Sequence, residues 1–277
     1  MRALEQQTIL LTGATDGLGR ALAARLAADG AELLIHGRDQ ERGRATIADI
    51  EAHTGSDRLH WLSADLASLD EVRALAAQVG ERCERLDVLV NNAGIGTTLP
   101  GDGARIESRD GYELRFAVNY LAGYLLTRLL LPVLERSAPA RVVSVSSAGQ
   151  APIDFDDVML ERRYDGVQAY CQSKLAQVML TFDLAEELDA HVVSATCLHP
   201  GTYMPTKMVR AAGVEPVTPL EQGVQATLRL IADPDLDAVS GVYFNGLHAA
   251  APHPQAEDAS ARRRLRELSD RLCGLDA

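Results

Sequence analysis

Thr12-Gly13-Ala14-Thr15-Asp16-Gly17-Leu18-Gly19 is the stretch on which the reading of this chain turns. It follows a short apolar run, Thr8–Thr12 (TILLT), and opens a segment, Gly17–Ala28, in which Leu18, Leu22 and Leu26 return on one helical face. A strand that passes through glycines into a helix is suited to receive a phosphate. Glycine permits the strained turn and a close backbone approach, and the first N–H groups of the helix point at the anion. The glycines follow G-x-x-x-G-x-G spacing, which predicts a dinucleotide loop lined by Gly13, Thr15, Asp16, Gly17, Leu18 and Gly19. Asp16 sits close to the expected phosphates, so its carboxylate is expected to point outward.

Beyond this loop, apolar runs of strand length alternate with stretches of helical period. Glu32–His36 reads as a strand, Gln40–Thr54 as a polar helix and His60–Ser63 as a weaker strand. Ser68–Glu84 is a helix with Ser68 as N-cap and Glu71 completing a capping box. Leu86–Asn91 and Arg141–Ser146 are buried strands on either side of a long amphipathic helix, Tyr112–Leu134. Then come the helix Ala169–Leu188, the strand His191–Leu198, the helix Pro219–Ala232, the strand Gly241–Phe244 and a charged helical tail, Pro254–Leu272. Strands separated by helices need crossover connections, hence a mostly parallel sheet covered on both faces. The expectation is α/β: a single doubly wound, Rossmann-type domain of about seven strands spanning residues 1–277. Its cofactor half is about 1–140 and its catalytic and substrate half about 141–277.

Composition narrows the function. The chain has 277 residues and a formal net charge of −12, which argues against nucleic acid as a partner. Cys83, Cys171, Cys197 and Cys273 form no C-x-x-C pair and the seven His no ligand spacing, so no metal site is expected. The N-terminal residues carry no apolar core of a signal peptide. The most apolar stretch, Tyr120–Leu134, is broken by Arg128 and Pro132 and falls short of the ~20 residues of a membrane span. No membrane association and a cytoplasmic location are the expectation.

The second strand ends His36-Gly37-Arg38-Asp39. In dinucleotide folds an acid at this tip takes the adenosine ribose 2′-OH, while an Arg accommodates a 2′-phosphate. Here Gly37 stands at the acid's place and Arg38, able to clamp phosphate bidentately, follows. NADP(H) is therefore preferred over NAD(H), with Asp39 as the group that could still serve a ribose.

Seven motifs in order resemble those of the short-chain dehydrogenase/reductase family. They are Thr12–Gly19, Asp65-Leu66, Asn91-Asn92-Ala93-Gly94, Asn119 within Phe116-Ala117-Val118-Asn119, Ser146-Ser147, Tyr170-Cys171-Gln172-Ser173-Lys174 and Pro200-Gly201. The resemblance covers nearly the whole chain and lies nearest the retinol-dehydrogenase-like branch, through AYCQSKLAQVMLTFDLAEEL after Gly166-Val167-Gln168 and RRRLRELSDRLCGL at the end. It implies a catalytic tetrad of Asn119, Ser147, Tyr170 and Lys174. It also implies cofactor contacts from Asp65, Leu66, Asn92, Ala93, Gly94, Tyr170, Lys174, Pro200, Gly201 and Thr202. A homodimer through the two long helices is the family's habit, and the long stretch between Ser147 and Tyr170 could obstruct it. The family's Thr after Pro200-Gly201 would fall at 205, where this chain has Pro205, so Thr202 or Thr206 must take its place.

The residues supply a chemistry. Tyr170 and Lys174, four apart on a helix, share a face. The Lys174 ammonium and the oxidised nicotinamide would lower the phenol's pKa, making Tyr170 a general acid in carbonyl reduction and a general base in alcohol oxidation. Ser147 would stabilise the substrate oxygen. By the resemblance, Lys174 would hold the nicotinamide ribose and Asn119 would place a water. Apart from Lys174 and Lys207 every basic residue is Arg, yet a Lys stands in this slot. Ser146 reads as a strand-end hydroxyl, Asp154, Asp156 and Asp157 as a solvated insertion, and His199 as a satisfied, partly buried side chain. Ile95–Arg105, with Gly96, Pro100, Gly101 and Gly103, and Thr202–Pro219, with Tyr203, Met204, Met208 and Val209, are the expected substrate walls. The substrate is then a small hydrophobic aldehyde, ketone or alcohol. The competing reading is a dinucleotide-binding sensor on the same fold without turnover.

Overall fold

The computed structural model describes residues 1–98 and 103–275. Eight strands form one sheet: β1 (Thr8–Leu11), β2 (Glu32–Gly37), β3 (Leu59–Ser63), β4 (Val88–Asn91), β5 (Ala140–Val145), β6 (Val193–His199), β7 (Val242–Asn245) and β8 (His248–Ala249). Their order is β3-β2-β1-β4-β5-β6-β7-β8. All neighbours are parallel except β7 and β8, a two-residue antiparallel edge too short for any sequence pattern to announce. The order reverses between β1 and β4. Outside their carboxyl ends lies the crevice where such folds bind ligands.

Alternate residues of each strand feed opposite layers, as the two-residue period requires. Ile9 and Leu11 pack with α1 (Gly17–Ala28), α2 (Gln40–Thr54) and α7 (Leu220–Ala232). Leu10 and Leu89 face α3 (Leu69–Arg82), α4 (Ala122–Arg136), α5 (Gly166–Glu187) and α8 (Ala259–Cys273). A short α6 (Lys207–Ala211) follows β6.

Three local features differ from the sequence expectation. The Ser68 hydroxyl caps α3 by accepting the Glu71 N–H, but the Glu71 carboxylate turns to the Asp65 N–H at 2.6 Å, so the box is only half formed. Asp165, whose carboxylate accepts the Gln168 N–H, starts α5 ahead of the expected Ala169. The long fourth helix opens as a π-helical segment, Phe116–Leu121, before α4. Together Phe116–Arg136 makes 21 residues, by length and composition enough to span a membrane, where the sequence reading found its most apolar stretch, Tyr120–Leu134, too short for one. Its apolar side chains are accounted for within the fold: Tyr120, Tyr124, Leu125 and Leu134 are buried in the core. α8 lies across this helix and α5, with Tyr120 Oη 2.8 Å from Ser269 Oγ and Arg266 Nη1 donating to Asp183 at 2.9 Å.

The register of β1 on β4 is fixed at its entrance by Asp87. This fully buried carboxylate accepts the Thr8 N–H at 2.8 Å, Arg2 Nη1 at 2.9 Å and Arg85 Nε at 3.0 Å. Asp87→Ala would leave the buried Thr8 N–H unpaired, while the two half-exposed guanidinium groups rehydrate. The expected loss is about 2–3 kcal/mol in urea unfolding. A loss under about 0.5 kcal/mol would show that the register is held elsewhere.

Candidate active site

At the crevice the loops leaving β1 and β4 interlock. Thr12 Oγ1 donates to Val90 O and accepts the N–H groups of Asn92 and Ala93 at 3.0 and 3.1 Å. The Asn92 amide returns to Thr12 O at 2.7 Å and Gly13 O at 3.2 Å. A Cβ on Gly13, whose φ is +67°, would stand 2.7 Å from Ala93 Cα. One on Gly19 would meet Gly13 O at 2.2 Å. Both positions therefore exclude any side chain, and the backbone cradle they leave at the N-terminus of α1 fits a dinucleotide pyrophosphate. Gly13 N–H donates to His36 Nδ1 at 3.4 Å, and His36 Nε2 reaches Ala64 O at 3.1 Å. Burial pushes the imidazole pKa down to about 4, so His36 is a neutral strut beneath the loop. It was not among the residues singled out from the sequence.

Asp16 caps α1 by accepting the Gly17 N–H at 2.7 Å, and its other oxygen meets Lys207 Nζ at 3.2 Å and Arg42 Nη2 at 3.3 Å. Partial burial works against its charge, but Lys207, the Gly17 N–H and Arg42 outweigh it and hold the carboxyl below its ordinary pKa. Asp16 thus turns away from the cradle toward α6 and α2. Leu18 packs in the core beside Met204.

The tip of β2 has no room for an acid. A Cβ on Gly37 would fall 2.8 Å from Trp61 Cη2 and 2.9 Å from Thr15 Cγ2. Asp39, the remaining acid, is occupied as the N-cap of α2, accepting the Glu41 and Arg42 N–H groups at 3.0 and 3.1 Å. Arg38 is exposed beside them. Following β3, Asp65 accepts the Ala67 N–H at 3.0 Å, and Leu66 is buried in the core.

The four residues of the implied tetrad converge behind β4 and β5. A Cβ on Gly94 would lie 3.3 Å from Asn119 Oδ1 and 3.4 Å from Lys174 Nζ. One on Gly149 would lie 3.5 Å from Ser147 Oγ and 3.9 Å from Tyr170 Cε1. Ser147 Oγ accepts the Gly149 N–H at 3.0 Å, and Ser146 Oγ ties β5 to α5 through Lys174 O at 2.8 Å. Lys174 is only 4% exposed, with Nζ donating to Val145 O at 3.0 Å and Gln177 Oε1 at 2.9 Å. Its Nζ is 5.8 Å from the centre of the Tyr170 ring.

Burial sets the electrostatics of this pair. Burial pushes the Tyr170 phenol up, with the neighbouring Ser147 hydroxyl pulling the other way, while burial pushes the Lys174 ammonium down to about 7. Desolvation opposes both charged forms. The Asn119 side chain binds the loop after β4. It accepts Ile95 N–H at 2.8 Å and donates to Ile95 O at 3.1 Å and Ser173 Oγ at 2.9 Å, so it pins the loop after β4.

Of the two threonines after Pro200-Gly201, Thr202 pairs with His199 Nε2 at 3.1 Å, whereas Thr206 Cγ2 stands 3.0 Å from the place of a Gly17 Cβ. Thr206 is the one brought to the glycine loop. Gly201 packs on Thr218. Of the expected wall, Met208 closes on Gly96 and Tyr203 is half exposed, but Met204 is buried under Gly223 of α7. Pro100 and Gly101 lie outside the described residues. Asp154 and Asp157 accept N–H groups of their own turns, from Asp156 and from Glu161 and Arg162. One organising residue escaped the sequence reading. Arg115, 2% exposed, donates to Gly96 O at 2.8 Å and Thr97 O at 2.6 Å and bonds Tyr164 and Glu113. A charge beside Phe116 at the head of an apolar helix was its only signal.

Comparison with known proteins places this geometry. A family model described as short chain dehydrogenase matches residues 7–215. Human retinol dehydrogenase 13 is 38% identical over 98% of this chain and 86% of its own length. An uncharacterized protein from Mycobacterium Paratuberculosis superposes with a TM-score of 0.78 at 29% identity, covering 97% of this chain and 94% of its own. The Pseudomonas aeruginosa RhlG/NADP active-site complex does so with a TM-score of 0.71 at 26% identity, over 88% and 97%.

The neutral strut gives a pH signature. The folded-state pKa of His36 lies below its unfolded value, so its contribution to stability is present above about pH 6.5 and is lost as pH falls toward 4. Between pH 7.5 and 5 this group should remove about 2 kcal/mol from the unfolding free energy. In denaturant titrations at the two pH values, His36→Gln should flatten the slope by that amount, and an unchanged slope would show that His36 does not carry it.

Proposed function

The chain belongs to the short-chain dehydrogenase family, and from that membership we infer an oxidoreductase that moves hydride between a nicotinamide dinucleotide, NADP(H) in preference to NAD(H), and the carbonyl or alcohol carbon of a small substrate. The observation that carries the reading is the convergence of Asn119 and Lys174 beside Gly94 and of Ser147 and Tyr170 beside Gly149, next to a glycine cradle that admits no side chain. When bound, the nicotinamide gives or takes the hydride. The protein's part is to hold, orient and protonate.

In carbonyl reduction Tyr170 donates its phenolic proton to the substrate oxygen. Burial keeps that proton on at neutral pH, the state a general acid needs. Ser147 Oγ accepts the Gly149 N–H, which leaves the hydroxyl's own proton free to donate to the same oxygen as charge develops there. Lys174 holds the nicotinamide ribose. Asn119 and Arg115 fix the Ile95–Thr97 backbone that faces the substrate, by way of Ile95, Gly96 and Thr97. Both the Met208 contact at Gly96 and a relative named for retinol favour an apolar substrate. Four free cysteines suit a reducing cytoplasm. A homodimer formed through α4 and α5 would have to seat on α8 as well, since α8 lies across both.

NADP(H) preference rests on Arg38 beside a strand tip where Gly37 cannot be an acid and Asp39 is occupied. Arg38→Ala should weaken NADPH roughly ten- to hundredfold, the worth of a charge-assisted hydrogen bond, and leave NADH nearly unchanged. Paired titrations at one ionic strength measure this. Equal losses for both cofactors would make Arg38 structural.

Tyr170→Phe keeps the ring and the fold but loses the proton. Turnover of an apolar aldehyde with NADPH should fall by at least ~10²-fold while NADPH still binds. Retention of more than about a tenth of wild-type turnover in a chemistry-limited assay would remove Tyr170 from this role.

A further inference from the structure

Behind the catalytic lysine, between β4, α4 and α5, lies a small chamber of about 10 Å³, the room of one water. Gln177, Asn91, Thr12, Asn119 and Gly123 are among its lining residues. The Asn91 amide nitrogen donates to Thr127 Oγ1 at 3.0 Å, but its buried Oδ1 has no partner among the described residues. On the other side, the buried Gln177 side chain gives its oxygen to Lys174 Nζ at 2.9 Å. Its amide nitrogen is a donor and Asn91 Oδ1 an acceptor, and a buried water needs partners of this kind. We propose that Gln177 is a positioning residue for Lys174: it grips the ammonium with its oxygen and is itself anchored, through one water in this chamber, to Asn91 Oδ1. The proposal rests on the role given above to Lys174.

The geometry makes Gln177 the one side-chain acceptor on the ammonium, the other acceptor being the backbone oxygen of Val145. Tyr170, on the same helix, is the titratable group that faces Nζ. Gly94 after β4, Val145 on β5 and Asn119 on the π-helical segment bring no charge, and among the described residues no carboxylate is set against the lysine. Burial alone has already moved Lys174 down to about 7, so loss of an acceptor matters within the working pH range. Gly123 bears on the water. A Cβ there would stand 3.4 Å from Asn91 Cγ and 3.5 Å from Oδ1, in ordinary contact and inside the chamber.

The experiment is the pH dependence of kcat for aldehyde reduction by the full chain with saturating NADPH, read together with NADPH affinity and thermal midpoint. Wild type should lose activity on the alkaline side as Lys174 discharges, and Lys174→Ala should lose that limb. If Lys174→Ala retains it, the role of Lys174 itself is wrong. Gln177→Leu removes the acceptor, so the limb should move down by about one pH unit. Gln177→Glu keeps an acceptor and adds negative charge, so the limb should return to or pass above its wild-type position. Gly123→Ala, a helix-favouring change, should leave the thermal midpoint unchanged or higher yet move the limb down. A limb unmoved in Gln177→Leu or in Gly123→Ala, or moved down in Gln177→Glu, overturns the proposal. If Gln177→Leu does not fold, Gln177→Glu and Gly123→Ala decide it by the same criteria.

Discussion

The sheet reverses its order between β1 and β4, so the two loops that leave those strands must pass within contact distance of each other. Everything at the site follows from that close passage. Gly13 lies against the Ala93 backbone, Gly19 against the carbonyl of Gly13, and four hydrogen bonds cross the gap from Asn92 and Ala93 to Thr12 and Gly13. The obstacle to a side chain at Gly19 is a backbone oxygen, which cannot rotate away as a side chain could. The same apposition leaves the N–H groups at the start of α1 facing the crevice and puts Gly94 over Asn119 and Lys174. One packing requirement thus joins the cofactor cradle to the catalytic end of α5.

Burial sets the protonation of that end. Tyr170 and Lys174 share a helical face, among the described residues without a carboxylate set against either, and desolvation moves the phenol up and the ammonium down. A neutral phenol and a weakly basic amine are a resting state biased toward giving a proton to a carbonyl oxygen. His36, beneath the cradle, is governed by the same rule and stays neutral.

On the substrate side, buried polar side chains hold irregular backbone. Asn119 and Arg115 between them take up the polar backbone groups of Ile95, Gly96 and Thr97. Thr206 and Lys207 bring the α6 segment down on Gly17 and Asp16. The π-helical turn at Phe116–Leu121 carries Asn119 at the point where these segments meet. The chain therefore fixes its loops through side chains that emerge from regular elements.

Alternation of strand-length and helix-length apolar runs was enough to determine a doubly wound sheet, because a parallel strand buried on both faces must be apolar throughout and must be followed by a crossover. The Ser68 cap located its helix because the orphan N–H groups of a first turn need a local acceptor. Asn119, Ser147, Tyr170 and Lys174, singled out by spacing and resemblance, are brought near one another by the fold. Only the tertiary structure decided what each polar group answers to: Glu71 to Asp65 rather than Ser68, Asp16 to Lys207 and Arg42, Asn119 to Ile95, and Lys174 to Gln177. It alone revealed His36 and Arg115, and it alone sent Met204 into the core rather than the substrate wall. Periodicity records which face of an element is buried. The partner of a buried donor or acceptor is set by segments far apart in sequence that meet only when the sheet is complete.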